Sequence, residues 1–244
     1  MIRGYSAEQV RAAEAPHLAS GEPLMQRAAA GLADEIRRVL AVVAAGRSGR
    51  VLLLVGSGNN GADTLYAGAE LASEDVDIII VAAGSRMHEE ALAAAIAAGA
   101  TREDGFDLED AGEVEGDDRI DAERVALLAA GVDVIVDGIL GTGTSANPAL
   151  RGIARELVAS ILPVLAAPLR PIVIAVDVPS GINPDDGTVP GALVLPADTT
   201  VTFGAFKAGL LLEPASRLAG RIHLVDIGLA ADLEVIEPIL QVEG

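Results

Sequence analysis

Three polar loops, each directly after an apolar run, contain the side chains that could do chemistry in this chain. They span residues 58–63, 137–147 and 177–186, and they combine carboxylates and amides with several glycines. Short apolar runs are typical of buried parallel strands, and ligands of open parallel sheets bind at the carboxyl ends of the strands. The loops are therefore predicted to form one polar site at one sheet edge. The alternative is that they are ordinary turns, in which Gly and Asp are common.

The glycines of the first two loops favour an anionic ligand such as a phosphate. Gly56, Gly58 and Gly61 have the G-x-G-x-x-G spacing of dinucleotide sites. The second loop adds hydroxyl groups and leads into a helix that is predicted to begin at Asn147 and Pro148. Free backbone N–H groups at a helix N-terminus suit a diphosphate. A flexible connection between two elements is the alternative for this loop.

An ordinary NAD-dependent dehydrogenase is disfavoured. Such enzymes place an acidic residue at the end of the second strand to bind the ribose hydroxyls, but here that strand ends at Ala82 and Ala83. Arg86 is the one nearby residue that could face a 2′-phosphate, and no Tyr-x-x-x-Lys pair is present.

Side-chain oxygens from all three loops predict a weak site for a hard cation. Asn60, Asp137 and Ser180 form an all-oxygen set with a single carboxylate. One carboxylate provides little charge for a divalent ion, so a monovalent ion is favoured. The alternative is that these side chains make turn-capping hydrogen bonds.

Alternating apolar runs and helical patterns predict one doubly wound α/β sheet with right-handed crossovers. The predicted strands are 51–55, 78–82, 132–136, 172–176, 199–203 and 222–225. A first helix is predicted to begin after Ser6 and to end at Pro16 and Gly21. Further helices are predicted over 23–44, 62–73, 89–98, 122–130 and 149–162. Residues 103–121, which are strongly acidic, are predicted to form a solvated loop.

Composition excludes several classes of partner and site. The 244 residues carry a net charge of −19, which disfavours nucleic acids and anionic membranes. No cysteine and only three histidines are present, so a Cys or His metal site is not expected. The most apolar region, 157–178, is interrupted by prolines and charges and does not predict a membrane span. The N-terminus has no secretory pattern, so a cytoplasmic location is predicted.

The motifs of the three loops resemble the NAD(P)H-hydrate epimerase family, the YjeF amino-terminal domain. The matching segments are Gly58-Asn59-Asn60-Gly61-Ala62-Asp63, VDGILGTG at 136–143 and VDVPSGIN at 176–183, with support from 202–210. The resemblance covers residues 5 to about 229. It implies a Rossmann-like three-layer α/β/α fold with a mostly parallel sheet, and the interconversion of the 6R and 6S hydrates of NADH and NADPH.

The resemblance also implies which residues bind. It assigns substrate contacts to Asn59, Asn60, Gly61, Ala62 and Asp63, to Gly141, Thr142, Gly143, Thr144, Ser145, Ala146 and Asn147, and to Asp177. It assigns a potassium ion (K⁺) to Asn60, Asp137 and Ser180. The chain departs from the family pattern at Ala62 and Thr64, and it has Glu14 where an aspartate is usual. An alanine would be strained at position 62 if that position required a positive φ.

Asp177 is the predicted catalytic acid and base, and an ordinary aspartate of a turn is the alternative. The substrate carbon carries a hydroxyl beside the ring nitrogen, so inversion requires loss and return of water, which a carboxyl group can assist. Asp63 is the second choice, with capping of the following helix as its alternative role. Lys207 is expected to pair with a phosphate or a loop carboxylate, or else to be solvated.

The overall prediction is a single domain over residues 1–244, either alone or as the amino-terminal part of a bifunctional epimerase and dehydratase. Its predicted partner is the hydrated nicotinamide nucleotide, and the Ala-rich helices suggest a homo-oligomer. The alternative function is a non-catalytic scaffold of the same fold that binds a nucleotide or a protein.

Overall fold

A seven-stranded, entirely parallel sheet forms the centre of the computed structural model, which describes residues 1–103, 121–143 and 147–243. The strands are β2 (Arg50–Val55), β3 (Asp77–Ala82), β4 (Thr101–Arg102), β5 (Val134–Gly138), β6 (Ile172–Val176), β7 (Thr199–Phe203) and β9 (Arg221–Val225). Their order is β4-β3-β2-β5-β6-β7-β9. The chain therefore builds outward in both directions from β2 and β5, whose carboxyl ends flank the switch point at which such folds bind ligands.

Helices cover both faces of this sheet. They are α1 (Ala7–Ala19), α2 (Leu24–Val43), α3 (Asn59–Ala72), α4 (Glu89–Ala97), α5 (Ala122–Ala130), α6 (Gly152–Ile161), α7 (Ala215–Leu218) and α8 (Ala230–Glu234). Alternate residues of β2 belong to two different cores. Leu53 packs with α2, α3 and α4, whereas Leu52 and Leu54 pack with α5 and α6. The predicted three-layer α/β/α fold is confirmed.

A second, three-stranded sheet was not predicted from the sequence. Strand β1 (Ile2–Tyr5) lies between β10 (Leu240–Val242) and β8 (Phe206–Lys207), antiparallel to the first and parallel to the second. This small sheet joins the two ends of the described chain and fixes the start of α1 next to Lys207.

Several predicted element boundaries were wrong. Helix α1 continues through Pro16 to Ala19, where Gly21 follows with a φ of +79°. Helix α3 begins at Asn59 rather than at residue 62, because Gly58 is already the extended N-cap residue. Strand β5 is shifted by two residues, so that Asp137 lies inside it rather than after it.

The helix predicted to start at Asn147 and Pro148 begins instead at Gly152. Gly152 has a left-handed φ of +51°, and the N-cap Arg151 is extended, so a right-handed helix cannot extend further toward the N-terminus. The Asn147 side chain accepts a hydrogen bond from the Ala149 N–H and forms a local turn. The predicted diphosphate site at this helix start therefore lacks its helix.

Most of the acidic stretch 103–121, including its predicted loop conformation, lies outside the described residues. Among the residues that the structure describes, no helix has the length and hydropathy needed to cross a membrane.

Candidate functional site

A cavity of about 940 Å³ lies at the carboxyl edge of the central sheet. Its wall includes residues at the carboxyl ends of five strands: Gly56 after β2, Ala83 after β3, Ile139 after β5, Asp177 after β6, and Phe203 as the last residue of β7. The N-terminus of α3 and one face of α1 complete the wall. The three polar loops thus meet at one sheet edge, as predicted.

The structure brings most of the predicted substrate-binding residues to this cavity. Those that line it are Asn59, Asn60, Asp63, Gly141, Thr142, Gly143, Asn147 and Asp177. Gly61 and Ala62 are buried behind the wall within α3. Thr144, Ser145 and Ala146 lie outside the described residues, so their predicted contacts stay a prediction.

Asp177 forms a buried ion pair with Lys207. Its backbone has a left-handed φ of +66°, a conformation that Asp adopts more readily than most residues, and its N–H donates to the Val201 carbonyl at 2.7 Å. The Lys207 ammonium donates to Asp177 Oδ1, and the side chain of Lys207 is only 2% exposed. The expectation that Lys207 is solvated is wrong, and pairing with a loop carboxylate is confirmed.

Two further groups fix this pair in place. The Lys207 ammonium also donates to the Phe203 carbonyl at 2.8 Å and to Thr202 Oγ1 at 3.2 Å. The Thr202 hydroxyl in turn lies 3.2 Å from Asp177 Oδ1. Lys207 therefore has partners for its charge and its hydrogens within the protein, and the carboxylate of Asp177 is held in one orientation.

Asp63 presents a second carboxyl group to the cavity, and it has no such partners. It is 8% exposed and lies within α3, and none of the hydrogen bonds among the described residues involves its side chain. The alternative that Asp63 caps a helix is wrong, because Gly58 occupies the N-cap position. Burial raises the pKa of Asp63 well above its ordinary value, the charges of Asp177 and Glu14 raise it further, and Lys207 opposes them.

Glu14 is a third carboxyl group at this end of the cavity, and the sequence interpretation gave it no role. It is placed there by α1, whose capping box, formed by Ser6 and Gln9, is present in the structure. Burial is the main cause that raises the pKa of Glu14, Lys207 opposes it, and Asp177 adds to it. The capping box predicted the helix, but only the pairing of β1 with β8 places that helix across the cavity.

Beside the cavity, Asp137 and Ser180 form a buried cluster of oxygen atoms. Both are fully buried, and the Asp137 carboxylate accepts from the Ser180 hydroxyl at 2.6 Å and from its N–H at 2.8 Å. The Ser180 hydroxyl also lies 3.3 Å from the Leu140 carbonyl, to which the Asn60 amide donates at 2.9 Å. The three predicted cation ligands are thus linked around one carbonyl oxygen.

The charge of Asp137 has no cationic partner in this cluster. Burial raises the pKa of Asp137, while the hydrogen bonds from Ser180 and Ile139 oppose that rise. None of the ion pairs within 1–103, 121–143 and 147–243 includes Asp137. A donor set of one carboxylate, one hydroxyl and one amide group fits a hard monovalent cation.

The glycines of the first loop serve close packing. A Cβ atom on Gly61 would lie 2.0 Å from the Gly56 carbonyl oxygen, and one on Gly56 would lie 1.9 Å from the Ile139 carbonyl oxygen. Neither glycine has a positive φ, and neither does Ala62, whose methyl group packs in the core with α2. The backbone strain that a positive φ would cause at Ala62 is therefore absent.

Comparisons with known proteins agree on one family. Residues 21–209 match the family model described as YjeF-related protein N-terminus. The chain is 48% identical to the NAD(P)H-hydrate epimerase of Clavibacter michiganensis subsp. michiganensis, over 98% of this chain and 95% of that protein. It is 47% identical to the NAD(P)H-hydrate epimerase of Microbacterium testaceum, over 97% and 83%.

More distant relatives match over a similar part of this chain. The bifunctional NAD(P)H-hydrate repair enzyme Nnr of Mycobacterium tuberculosis is 37% identical over 92% of this chain, but over only 41% of its own length. The crystal structure of the yeast protein ynu0 has a TM-score of 0.70 and 16% identity, and the match covers 99% of this chain and 97% of that one. That structural similarity supports the three-layer α/β/α fold.

Proposed function

Because the chain belongs to the YjeF-related N-terminal family, we propose that it is an NAD(P)H-hydrate epimerase, an isomerase that interconverts the 6R and 6S hydrates of NADH and NADPH. One structural observation supports this proposal most strongly. The cavity contains a carboxylate paired with a buried lysine, Asp177 with Lys207, and an unpartnered carboxyl group, Asp63. This arrangement suits proton transfer without a redox step.

The reaction requires cleavage and re-formation of one C–O bond. The electron pair of that bond leaves with the hydroxyl oxygen, a proton joins it, and water departs. The carbon is left as a cation that the ring nitrogen stabilises. A water molecule then adds to the other face of that carbon and gives up one proton, so the atoms of substrate and product balance.

Asp177 is the proposed acid and base for these proton transfers. A positioned carboxyl group contributes about 10²–10⁴-fold to such a step. Its negative charge also favours the cationic intermediate, because Asp177 is only 6% exposed and its carboxylate is held in one orientation. Lys207 and Thr202 supply that orientation through Asp177 Oδ1. Among the described residues Oδ2 has no hydrogen-bond partner, which leaves it for contact with the substrate or with water.

Asp63 complements Asp177 in this proposal: in one direction Asp63 donates a proton and Asp177 accepts one, and in the reverse direction Asp177 is the donor, so that Asp177 serves as both acid and base. A neutral carboxyl group can donate a proton to the departing hydroxyl while a charged one accepts a proton from the incoming water. Where the surroundings of two neighbouring carboxyl groups give them different pKa values, one can act as the acid and the other as the base. The transfer leaves one proton on Asp177 and none on Asp63, and exchange with solvent through the open cavity restores the starting state.

The N-terminus of α3 is proposed to hold the phosphates. The α3 helix has no side chain capping its N-terminus, and Gly58 and Asn59 line the cavity there. Uncapped N–H groups and the positive end of the helix dipole attract phosphate oxygens. In a chain with a net charge of −19, such local donors have to overcome a repulsive overall field.

We further propose that Asn60, Asp137 and Ser180 hold K⁺. When bound, the ion would place a positive charge next to the buried Asp137 carboxylate, which has no cationic partner among the described residues. Asn60 lies in the first turn of α3, Asp137 lies within β5 one residue before its end, and Ser180 lies in the third loop, so these residues would hold the three loops in one arrangement. We also propose that the protein is cytoplasmic and forms a homo-oligomer. Light scattering in solution would measure the oligomeric state.

Asp177→Asn tests the catalytic assignment. The variant is expected to lose about 10²-fold or more of the epimerisation rate, because its amide cannot exchange the proton. A mixture of hydrate epimers enriched in one form is followed by chromatography, with a sample lacking enzyme to correct for spontaneous exchange. Asp186→Asn, in the same loop but exposed, is the matched control. An Asp177→Asn protein with the wild-type rate would contradict the assignment.

A further inference from the structure

Two arginines at the cavity differ from most arginines of this acidic chain. Nine arginines elsewhere in the described residues form ion pairs with Asp or Glu. Arg11 and Arg151 line the cavity, and neither forms an ion pair within the described part of the chain. Arg3, Arg86 and Arg155 also form no ion pair there, but they do not line the cavity, so Arg11 and Arg151 are the unpaired guanidinium groups that are available to an anion bound in it.

Arg151 is the more available of the two. It is the exposed N-cap residue of α6, and none of the hydrogen bonds or ion pairs recorded for the described residues involves its guanidinium group. Arg11 donates to the Thr142 carbonyl at 2.9 Å. That bond ties α1 to the second polar loop and leaves the other N–H groups of Arg11 for further contacts.

Neither of the other basic residues that the sequence suggested offers a free charge to the cavity. Lys207 is the only lysine of the chain, and its ammonium is used by Asp177, Phe203 and Thr202. Arg86, which the sequence suggested for a 2′-phosphate, is not among the residues that line the cavity.

We propose that Arg151 binds a phosphate group of the dinucleotide through its guanidinium fork, and that Arg11 positions the Thr142 end of the second loop beside it. This inference rests on the proposed epimerase function for the identity of the dinucleotide. A planar guanidinium matches two phosphate oxygens at once, which a lone ammonium cannot do. The phosphate is either in the diphosphate, which both substrates share, or in the 2′-phosphate, which only the NADPH hydrate carries.

Arg151→Ala tests the proposal. We expect the KM to rise about 10–100-fold, as for loss of a hydrogen bond to a charged group, with kcat changed less than twofold. Arg155→Ala is the matched control, because Arg155 is exposed on the same helix, one turn away, and does not line the cavity. Arg151→Lys is expected to recover only part of the affinity.

The two substrates identify the phosphate. A higher KM for both hydrates assigns Arg151 to the diphosphate, and a higher KM for the NADPH hydrate alone assigns it to the 2′-phosphate. An unchanged KM for both, or a fall in kcat alone, overturns the proposal while leaving the epimerase function intact.

A binding measurement separates failure of this inference from failure of the proposed function. Calorimetric titration needs no turnover and uses two probes without nicotinamide: ADP, which carries the diphosphate, and adenosine 2′,5′-bisphosphate, which carries a 2′-phosphate. Wild type and Arg155→Ala are expected to bind each probe equally, and Arg151→Ala is expected to bind one of the two at least tenfold more weakly. If the wild type does not epimerise the hydrates, this difference still supports a phosphate site at Arg151. Equal binding of both probes by all three proteins, or binding of neither probe by the wild type, overturns it.

Discussion

At the residue scale, the chemistry of the site depends on how differently two aspartates are surrounded. Asp177 contacts Lys207 and Thr202, which hold its carboxylate in place. Its backbone has a left-handed φ. Residues kept in such conformations cost about 1–3 kcal/mol and are frequent at functional sites. Asp63 has no hydrogen-bond partner and a raised pKa. Residue types alone predicted both carboxyl groups but could not predict which one would be paired.

Asp63→Asn is expected to change the pH dependence of the reaction as well as its rate. Burial raises the pKa of Asp63, so the wild-type acid is protonated below that raised pKa and loses its proton as the pH rises through it. Activity should therefore decline on the alkaline side, and this decline should be absent in Asp63→Asn, whose kcat is lower by about 10²-fold or more. The kcat is measured as a function of pH for both proteins.

A matched control for this prediction is Asp121→Asn. Asp121 is an exposed aspartate that caps α5 and does not line the cavity. Its pH profile should equal that of the wild type. An alkaline limb that persists unchanged in Asp63→Asn would assign the limb to another group and contradict the role of Asp63 as proton donor.

At the element scale, α1 connects the loops of the site to the rest of the chain. Its first N–H, from Ala7, donates to Asp185 Oδ1 at 2.6 Å and so contacts the third loop. Arg11 contacts the second loop, Glu14 faces the acidic end of the cavity, and His17 bonds to α8 through Asp232. Movement of this helix would therefore alter the cavity wall and two of its loops together.

His17→Gln should weaken the attachment of α1 in a pH-dependent way. His17 Nδ1 lies 2.8 Å from Glu22 Oε1, and Nε2 lies 2.8 Å from Asp232 Oδ2. The hydrogen bond to Asp232, and then that to Glu22, raise the pKa of His17 above 6.5 in the folded state. The resulting stabilisation is fully present below pH 6.5 and is lost as the pH rises through the folded-state pKa.

Urea unfolding of the wild type and His17→Gln at several pH values measures this effect. The difference in unfolding free energy between the two proteins should be largest on the acidic side of 6.5 and should shrink toward alkaline pH. Asp232→Asn should remove most of that dependence, because Asp232 is the main cause of the pKa shift. A difference that is constant with pH would show that the imidazolium charge is not involved.

At the scale of the whole molecule, the parallel sheet was predictable and the small sheet was not. Runs such as Val51–Val55 have a length and composition typical of buried strands. Strands β1, β8 and β10 have two to four residues, too few to show a period, and their pairs join Ile2 to Val242 and Gly4 to Phe206. The burial of Lys207 and the placement of Glu14 follow from those distant pairs, so local patterns could not predict them.

The charge of the whole molecule offers a way to test the K⁺ site through folding. A net charge of −19 means that any salt reduces self-repulsion, so KCl must be compared with tetramethylammonium chloride at equal ionic strength. An ion that binds only the folded state stabilises it by about 1.4–2.7 kcal/mol at 10–100 times its Kd. The wild type should therefore unfold at higher urea concentration in KCl, and it should be more active there. Asp137→Asn should unfold equally in both salts, because it lacks the one carboxylate of the donor set. Equal unfolding of the wild type in the two salts would contradict a K⁺ site at Asn60, Asp137 and Ser180.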